Sequence, residues 1–207
     1  MSIKLKRIEC APIGENTYVI KDENTGFCAV IDPGCYNDSV EEFIGEKSNL
    51  VYIILTHAHW DHIAALNEYK NVFPDVKLVA NFDEHEMITN SSINGSYQYM
   101  GDEVAIDADI YVADDEVLKL GETPLKFITT PGHTKGGMCI FTDGKLFSGD
   151  TLFLRSVGRT DLYGGNWGQL KDSIQNKLFY LDGSTIVYPG HGPSTTIESE
   201  MRENPFV

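Results

Sequence analysis

Six consecutive apolar residues, Leu50-Val51-Tyr52-Ile53-Ile54-Leu55, run without a break into Thr56-His57-Ala58-His59-Trp60-Asp61-His62. An uninterrupted apolar run of this length is the pattern of a strand covered on both faces. Such a strand lies inside a layered fold, and it ends here in four residues able to ligate a metal. A helix is predicted next, with Ile63, Leu66, Tyr69 and Phe73 on one face and Pro74 as its stop.

The rest of the chain continues in the same style. Short β-branched or aromatic runs at 17–20 and 27–31 predict strands, the second closed by Asp32-Pro33-Gly34. A helix is predicted over 38–44, capped by Asn37 or Asp38 with acids in its first turn. A strand at 77–80 and a helix at 83–89 precede residues 91–108, which lack periodicity and read as a long loop. Strands at 116–120, 125–129, 137–142, 145–147 and 185–188 follow, with one helix over 169–181. Strands with helices between them fit a sandwich of sheets covered by helices better than a doubly wound sheet. At 207 residues, a single domain over 1–207 is expected.

Composition removes several function classes. No apolar run approaches the ~20 residues of a membrane span, and none follows the basic residues Lys4, Lys6 and Arg7, so neither membrane nor secretory targeting is expected. A net charge of −15 opposes general binding to nucleic acid or anionic membrane. Cys10, Cys28, Cys35 and Cys139 stand singly and are expected as buried thiols of a cytoplasmic protein, not as a disulfide framework.

The histidines carry the chemistry. His57 and His59 are two apart, so on extended backbone both rings project to one side. Asp61 and His62 follow where the chain turns and can address a neighbouring position. His133 sits in Thr130-Pro131-Gly132-His133-Thr134, Asp150 ends Leu146-Phe147-Ser148-Gly149-Asp150, and His191 lies in Tyr188-Pro189-Gly190-His191-Gly192. Imidazoles and carboxylates suit divalent zinc, with iron or manganese as alternatives. His57, His59 and His133 are expected to hold one ion, Asp61, His62 and His191 a second, and Asp150 to bridge a pair ~3.5–4 Å apart. With a hydroxide, two ions and two carboxylates give the site a formal charge of about +1, which favours an anionic ligand or a developing oxyanion. A lone histidine is more often a satisfied core residue, but four candidate ligands within six positions are not lone. His85, in Asp83-Glu84-His85-Glu86, has no partner motif and is expected at the surface.

His57-Ala58-His59-Trp60-Asp61-His62 resembles the HxHxDH signature of the metallo-β-lactamase superfamily. Asn16-Thr17-Tyr18, Ile31-Asp32-Pro33-Gly34, Pro131-Gly132-His133-Thr134, Ser148-Gly149-Asp150-Thr151 and Pro189-Gly190-His191-Gly192 resemble its other motifs, in order, over nearly the whole chain. The resemblance implies an α/β fold, the αββα four-layer sandwich, with Asp32 hydrogen-bonded to the first-loop ligands. Gly149-Asp150-Thr151-Leu152-Phe153, Gly158-Arg159-Thr160-Asp161 and the ending through Asn204-Pro205-Phe206 look most like short bacterial members of the glyoxalase II branch. That implies a binuclear hydrolase of S-acyl thiols, S-lactoylglutathione being the type substrate, acting through a hydroxide held between the ions. Asp61 is the expected catalytic carboxylate, orienting the hydroxide and accepting its proton. Arg159 matches a basic substrate contact of that branch, and Arg155 is its companion on the loop; the bland alternative is an Arg159–Asp161 pair that only shapes the loop. Full-length glyoxalase II grips glutathione with a C-terminal helical domain for which this chain has no counterpart, which leaves the thiol carrier open.

The same motifs resemble an iron-dependent persulfide dioxygenase, in which residues matching His57, His133 and Asp150 hold a single iron. A nuclease of this fold is disfavoured by the acidic charge, and a β-lactamase by Asp150, where many zinc enzymes have cysteine. A flavin-linked diiron protein would need a further domain, and a non-catalytic scaffold predicts eroded ligands, of which there are none. The expected partner is a small-molecule thioester, and oligomeric state is left open.

Overall fold

In the computed structural model, which describes residues 2–207, two six-stranded sheets pack face to face. The first comprises β1 (Ile3–Cys10), β2 (Glu15–Asp22), β3 (Cys28–Ile31), β4 (Leu50–Ile54), β5 (Lys77–Asn81) and β6 (Ile110–Val112), in that spatial order. β1 to β3 run antiparallel and β3 to β6 parallel. The parallel connections carry α1 (Asp38–Ile44), α2 (Leu66–Val72) and three short helices, α3 (His85–Ile88), α4 (Ser91–Asn94) and α5 (Ser96–Met100).

The second sheet contains β7 (Val117–Leu120), β8 (Thr123–Thr129), β9 (Met138–Thr142) and β10 (Lys145–Gly149) as an antiparallel meander. A two-stranded hairpin, β11 (Leu152–Phe153) with β12 (Ser156–Val157), and α6 (Trp167–Asn176) then lead to β13 (Ile186–Pro189), parallel to β10. β14 (Thr195–Thr196) closes the edge, and α7 (Ile197–Glu203) packs behind.

Side-chain alternation produces the layers, because neighbours along a strand face opposite ways. On β2 to β5, Ile20, Ala29, Ile31, Ile54 and Val79 face the second sheet, where they meet Leu125, Phe127, Ile140 and Phe147. Val19, Val30, Ile53, Leu78 and Ala80 face the other way, onto Val40 and Ile44 of α1 and Leu66 and Tyr69 of α2. Leu146 and Val187 cover the outer face of the second sheet against Leu170 and Ile174 of α6 and Ile197 of α7. Helix, sheet, sheet, helix is the αββα sandwich. Among the described residues, no helix is long and apolar enough to cross a membrane.

Several local expectations need correction. β1 falls in the stretch of some thirty residues that reads as strands with turns, but its bounds carry no apolar run, because its Ile3-Lys4-Leu5-Lys6-Arg7 alternation belongs to a half-exposed edge strand, where charge discourages further pairing. Ile63 lies in the turn before α2, and residues 82–84 form a 3-10 turn ahead of α3. The expected loop at 91–108 contains α4 and α5, joined by Gly95 in the left-handed region. The cysteines depart most: Cys10 and Cys35 form a disulfide, while Cys28 and Cys139 are buried free thiols. β1 carries Cys10 to within 5.5 Å (Cα to Cα) of Cys35 across 25 positions of sequence, a proximity that spacing alone does not reveal.

Candidate metal centre

Five strand ends meet along one edge of the sandwich. β3 delivers Asp32, β4 delivers Thr56 through His62, β8 delivers His133, β10 delivers Asp150 and β13 delivers His191. Gly190 permits this crowding, since a Cβ there would lie 2.6 Å from His62 Cε1.

His57, His59 and His133 form one buried group whose ring nitrogens converge. His133 Nε2 lies 2.8 Å from His59 Nδ1 and 3.2 Å from His57 Nε2. Asp61, His62 and His191 form a second, with Asp61 Oδ2 at 3.1 Å from His191 Nε2 and 3.6 Å from His62 Nε2. Asp150 stands between them: Oδ1 is 3.3 Å from His62 Nε2, and Oδ2 is 3.6 Å from His133 Nε2 and 3.8 Å from His191 Nε2. His62 Nε2 and Asp150 Oδ1 are buried and have no hydrogen-bond partner. Orphaned buried donors and acceptors are costly, so their convergence fits bound cations.

The outward ring nitrogens are held from behind. His62 Nδ1 donates to Asp32 Oδ2 at 2.9 Å, and Thr56 donates its amide and hydroxyl to the same carboxylate at 2.7 and 2.6 Å. The Thr56 hydroxyl oxygen in turn lies 3.1 Å from His57 Nδ1. Asp32 reaches this position with φ of 51°, a left-handed conformation that Asp tolerates better than most residues. His133 Nδ1 donates to the Arg159 carbonyl at 2.7 Å. These bonds leave Nε2 of His57, His62 and His133 facing inward, while His59 faces inward with Nδ1.

Protonation follows the same geometry. Burial, then neighbouring imidazoles, holds His57 well below the usual histidine range. Burial, reinforced by His133, takes His59 down to about 3, and burial also lowers His133. Three neutral imidazoles therefore offer lone pairs at ordinary pH. His62 is the reverse: burial opposes its charge, but Asp61, Asp150 and Asp32 outweigh it and raise it well above normal. Burial pushes the Asp150 and Asp61 carboxyls up, yet His62 beside each holds both below the carboxylate range. This second group is a negative pocket suited to positive charge.

Two buried carboxylates were missed in the sequence. Glu84 accepts from Ala58 N at 2.9 Å, Gly136 N at 2.8 Å and Thr134 Oγ1 at 3.0 Å, tying both histidine loops together. Glu15 lies behind His62, Oε1 to Nδ1 3.9 Å, and burial pushes its carboxyl well up. Their only sequence signal is an acid next to an apolar element, which surface acids share.

The arginines divide. Arg159 lines the cleft over the centre, with Nε and Nη2 donating to Asp161 at 2.7 and 2.9 Å. Arg155 does not reach the cleft: its guanidinium pairs with Glu203, and its amide donates to Glu200 at 2.8 Å, so it fastens the hairpin to α7. His85 is partly exposed and faces the Tyr111 hydroxyl at 2.7 Å, away from the centre.

The sequence pattern of the metallo-beta-lactamase superfamily matches residues 11–191. The chain belongs to that superfamily. It is 37% identical to the probable metallo-hydrolase YqgX of Bacillus subtilis (strain 168), over 99% of this chain and 98% of that one. It is 32% identical to the hydroxyacylglutathione hydrolase GloC of Haemophilus influenzae (strain ATCC 51907 / DSM 11121 / KW20 / Rd), over 97% of each. The crystal structure of BLEG-1, a B3 metallo-beta-lactamase, superposes with a TM-score of 0.88 at 34% identity, covering 98% of this chain and 99% of that one. This member of the superfamily is therefore a metal-dependent hydrolase with a His/Asp metal-binding cluster.

Proposed function

We propose that the chain hydrolyses S-acyl thiols at a binuclear centre. His57, His59 and His133 would hold one divalent ion and Asp61, His62 and His191 the other, with Asp150 in reach of both groups; zinc suits this nitrogen and oxygen donor set, as do iron and manganese. The carrying observation is Asp150, whose Oδ1 faces His62 at 3.3 Å and whose Oδ2 lies between His133 at 3.6 Å and His191 at 3.8 Å, so one carboxylate is in reach of both groups. Bound divalent ions supply a hydroxide near neutral pH and polarise a carbonyl oxygen.

The chain's own residues do the rest. The Asp61 carboxylate, placed in the second group beside His62 and His191, would orient the attacking water and take up its proton. The Arg159 carbonyl keeps His133 in one tautomer, and its guanidinium, shared with Asp161, faces a substrate carboxylate. A thioester suits the site because a thiolate leaves without needing a strong general acid. The GloC name supports this reading. The name of BLEG-1 brings in a β-lactam, which serves as the control substrate.

The test is metal analysis of protein purified without added metal, with hydrolysis measured on the same sample. About two ions per chain with S-lactoylglutathione cleaved, and a β-lactam cleaved far more slowly, is the expected result. One iron per chain, no hydrolysis, and oxygen consumed with glutathione persulfide would overturn it in favour of a dioxygenase. A β-lactam cleaved in preference to every thioester would overturn it too.

A further inference from the structure

Over the centre lies a cleft of about 460 Å³, within the range of small-molecule sites. Ile13, Trp60, Ile93, Tyr99, Leu162 and Tyr163 build its wall above the histidines. Trp60 and Tyr99 stack, with ring centroids 5.5 Å apart and planes 28° from parallel. Gly95 makes room for the pair: a Cβ there would lie 3.0 Å from Tyr99 Cδ2 and 3.3 Å from Trp60 Cδ1.

This wall is anchored. Trp60 N donates to Asn94 O at 2.9 Å, and the buried Asn94 amide donates to the Met87 and Val104 carbonyls at 3.1 and 2.8 Å. The ligand loop and the α4–α5 segment therefore hold the aromatic pair together. Yet much of the wall is open to water, with Ile13 48% and Tyr99 60% exposed. A rigid, exposed apolar wall beside a reaction centre is a place for a flat apolar group.

Charge limits what else can bind. Arg159 is the one cation besides histidine among the cleft residues, and Asp161 occupies its Nε and Nη2. Away from the metal-binding groups, a ligand with two free carboxylates meets no second side-chain cation among the described cleft residues.

We infer that the cleft selects thioesters whose acyl group carries an aromatic ring next to the scissile carbonyl and whose thiol carrier bears no more than one free carboxylate. This rests on the thioester reading above.

Four substrates test it: lactoyl and mandeloyl thioesters, each on glutathione and on N-acetylcysteamine. The mandeloyl esters are expected to exceed the lactoyl ones about tenfold in kcat/KM, with no advantage from glutathione. Tyr99→Ala brings the mandeloyl-to-lactoyl ratio to within about twofold of unity, and Tyr99→Phe, which keeps the ring, restores it. In a Trp167→Phe background, mandelate quenches the Trp60 fluorescence saturably and lactate does not. Hydrolysis of all four with S-lactoylglutathione preferred, or a ratio indifferent to Tyr99→Ala, overturns the inference and leaves the thioester reading standing. No hydrolysis of any thioester, with saturable quenching by mandelate, overturns the reading and upholds the aromatic selectivity. Neither hydrolysis nor quenching overturns both.

Discussion

Glu84 accepts the amide of Ala58 at 2.9 Å, and that amide lies between His57 and His59 in the chain. The other oxygen of the same carboxylate takes Gly136 N and the hydroxyl of Thr134, the residue after His133. One fully buried side chain thus sets the spacing of all three histidines of the first group, although burial pushes its carboxyl up.

Glu84→Gln must set an NH2 group against at least one of these three donors. Metal affinity is expected to fall about 10–100-fold, as when other outer supports of metal ligands are lost. Competition with a chelator measures it. Glu84→Ala leaves buried donors unpaired and costs on the order of 3 kcal/mol in stability, read as a lower urea midpoint. Wild-type metal affinity in the glutamine variant would show that the loops hold their spacing without this carboxylate.

Gly190 carries the second group in the same sense. An added Cβ would press hardest on Asp150 Oδ1, the oxygen that faces His62, and on His62 Cε1 from 2.6 Å, so the contacts of the second group are the first to be disturbed. Gly190→Ala is expected to lower bound metal from about two ions per chain to about one, with thioester hydrolysis reduced at least about tenfold. Unchanged stoichiometry by elemental analysis would mean that the β13 loop yields instead.

The candidate ligands were legible because each stands in a short motif at the end of an apolar strand, where local residues already announce both strand and turn. The sandwich was legible from strands and helices in alternation. What stayed hidden depends on contacts made at long range. Glu84 meets its donors 26, 50 and 52 positions away, and no local pattern separates it from the surface acids Asp83 and Glu86. Arg155 and Arg159 look equivalent in sequence, four positions apart. Only the packing of α7, which brings Glu203 to Arg155, turns one of them away.

The Cys10–Cys35 disulfide joins the end of β1 to the loop after β3, beside the Gly34 turn. It closes a segment of 25 positions, a length for which chain entropy gives about 3.5 kcal/mol. Reductant is expected to lower the urea midpoint by a corresponding amount, and Cys35→Ser to lower it equally with or without reductant. A midpoint indifferent to reductant, with two titratable thiols found beforehand in the unfolded protein, would mean that the bond adds nothing to stability.

Acid stability turns on Asp22, at the end of β2. Its Oδ1 accepts from Asn24 N, Thr25 N and Thr25 Oγ1 at 3.0, 2.8 and 2.9 Å, while Oδ2 accepts from Thr123 Oγ1 of the other sheet at 2.5 Å. Burial opposes the charge, but these donors, Thr123 foremost, hold the carboxyl down to about 2. In the unfolded chain it returns to about 3.9. A group lowered on folding contributes stability that is full above the unfolded value and is lost as pH falls through the folded one. The difference in unfolding free energy between wild type and Asp22→Asn should therefore be largest at pH 5 and shrink steadily from pH 4 to pH 2. Urea titrations across that window measure it. A difference that stays constant with pH would show that the hydroxyl and amide donors bind the asparagine as well as the carboxylate, and that the tie between the sheets does not depend on charge.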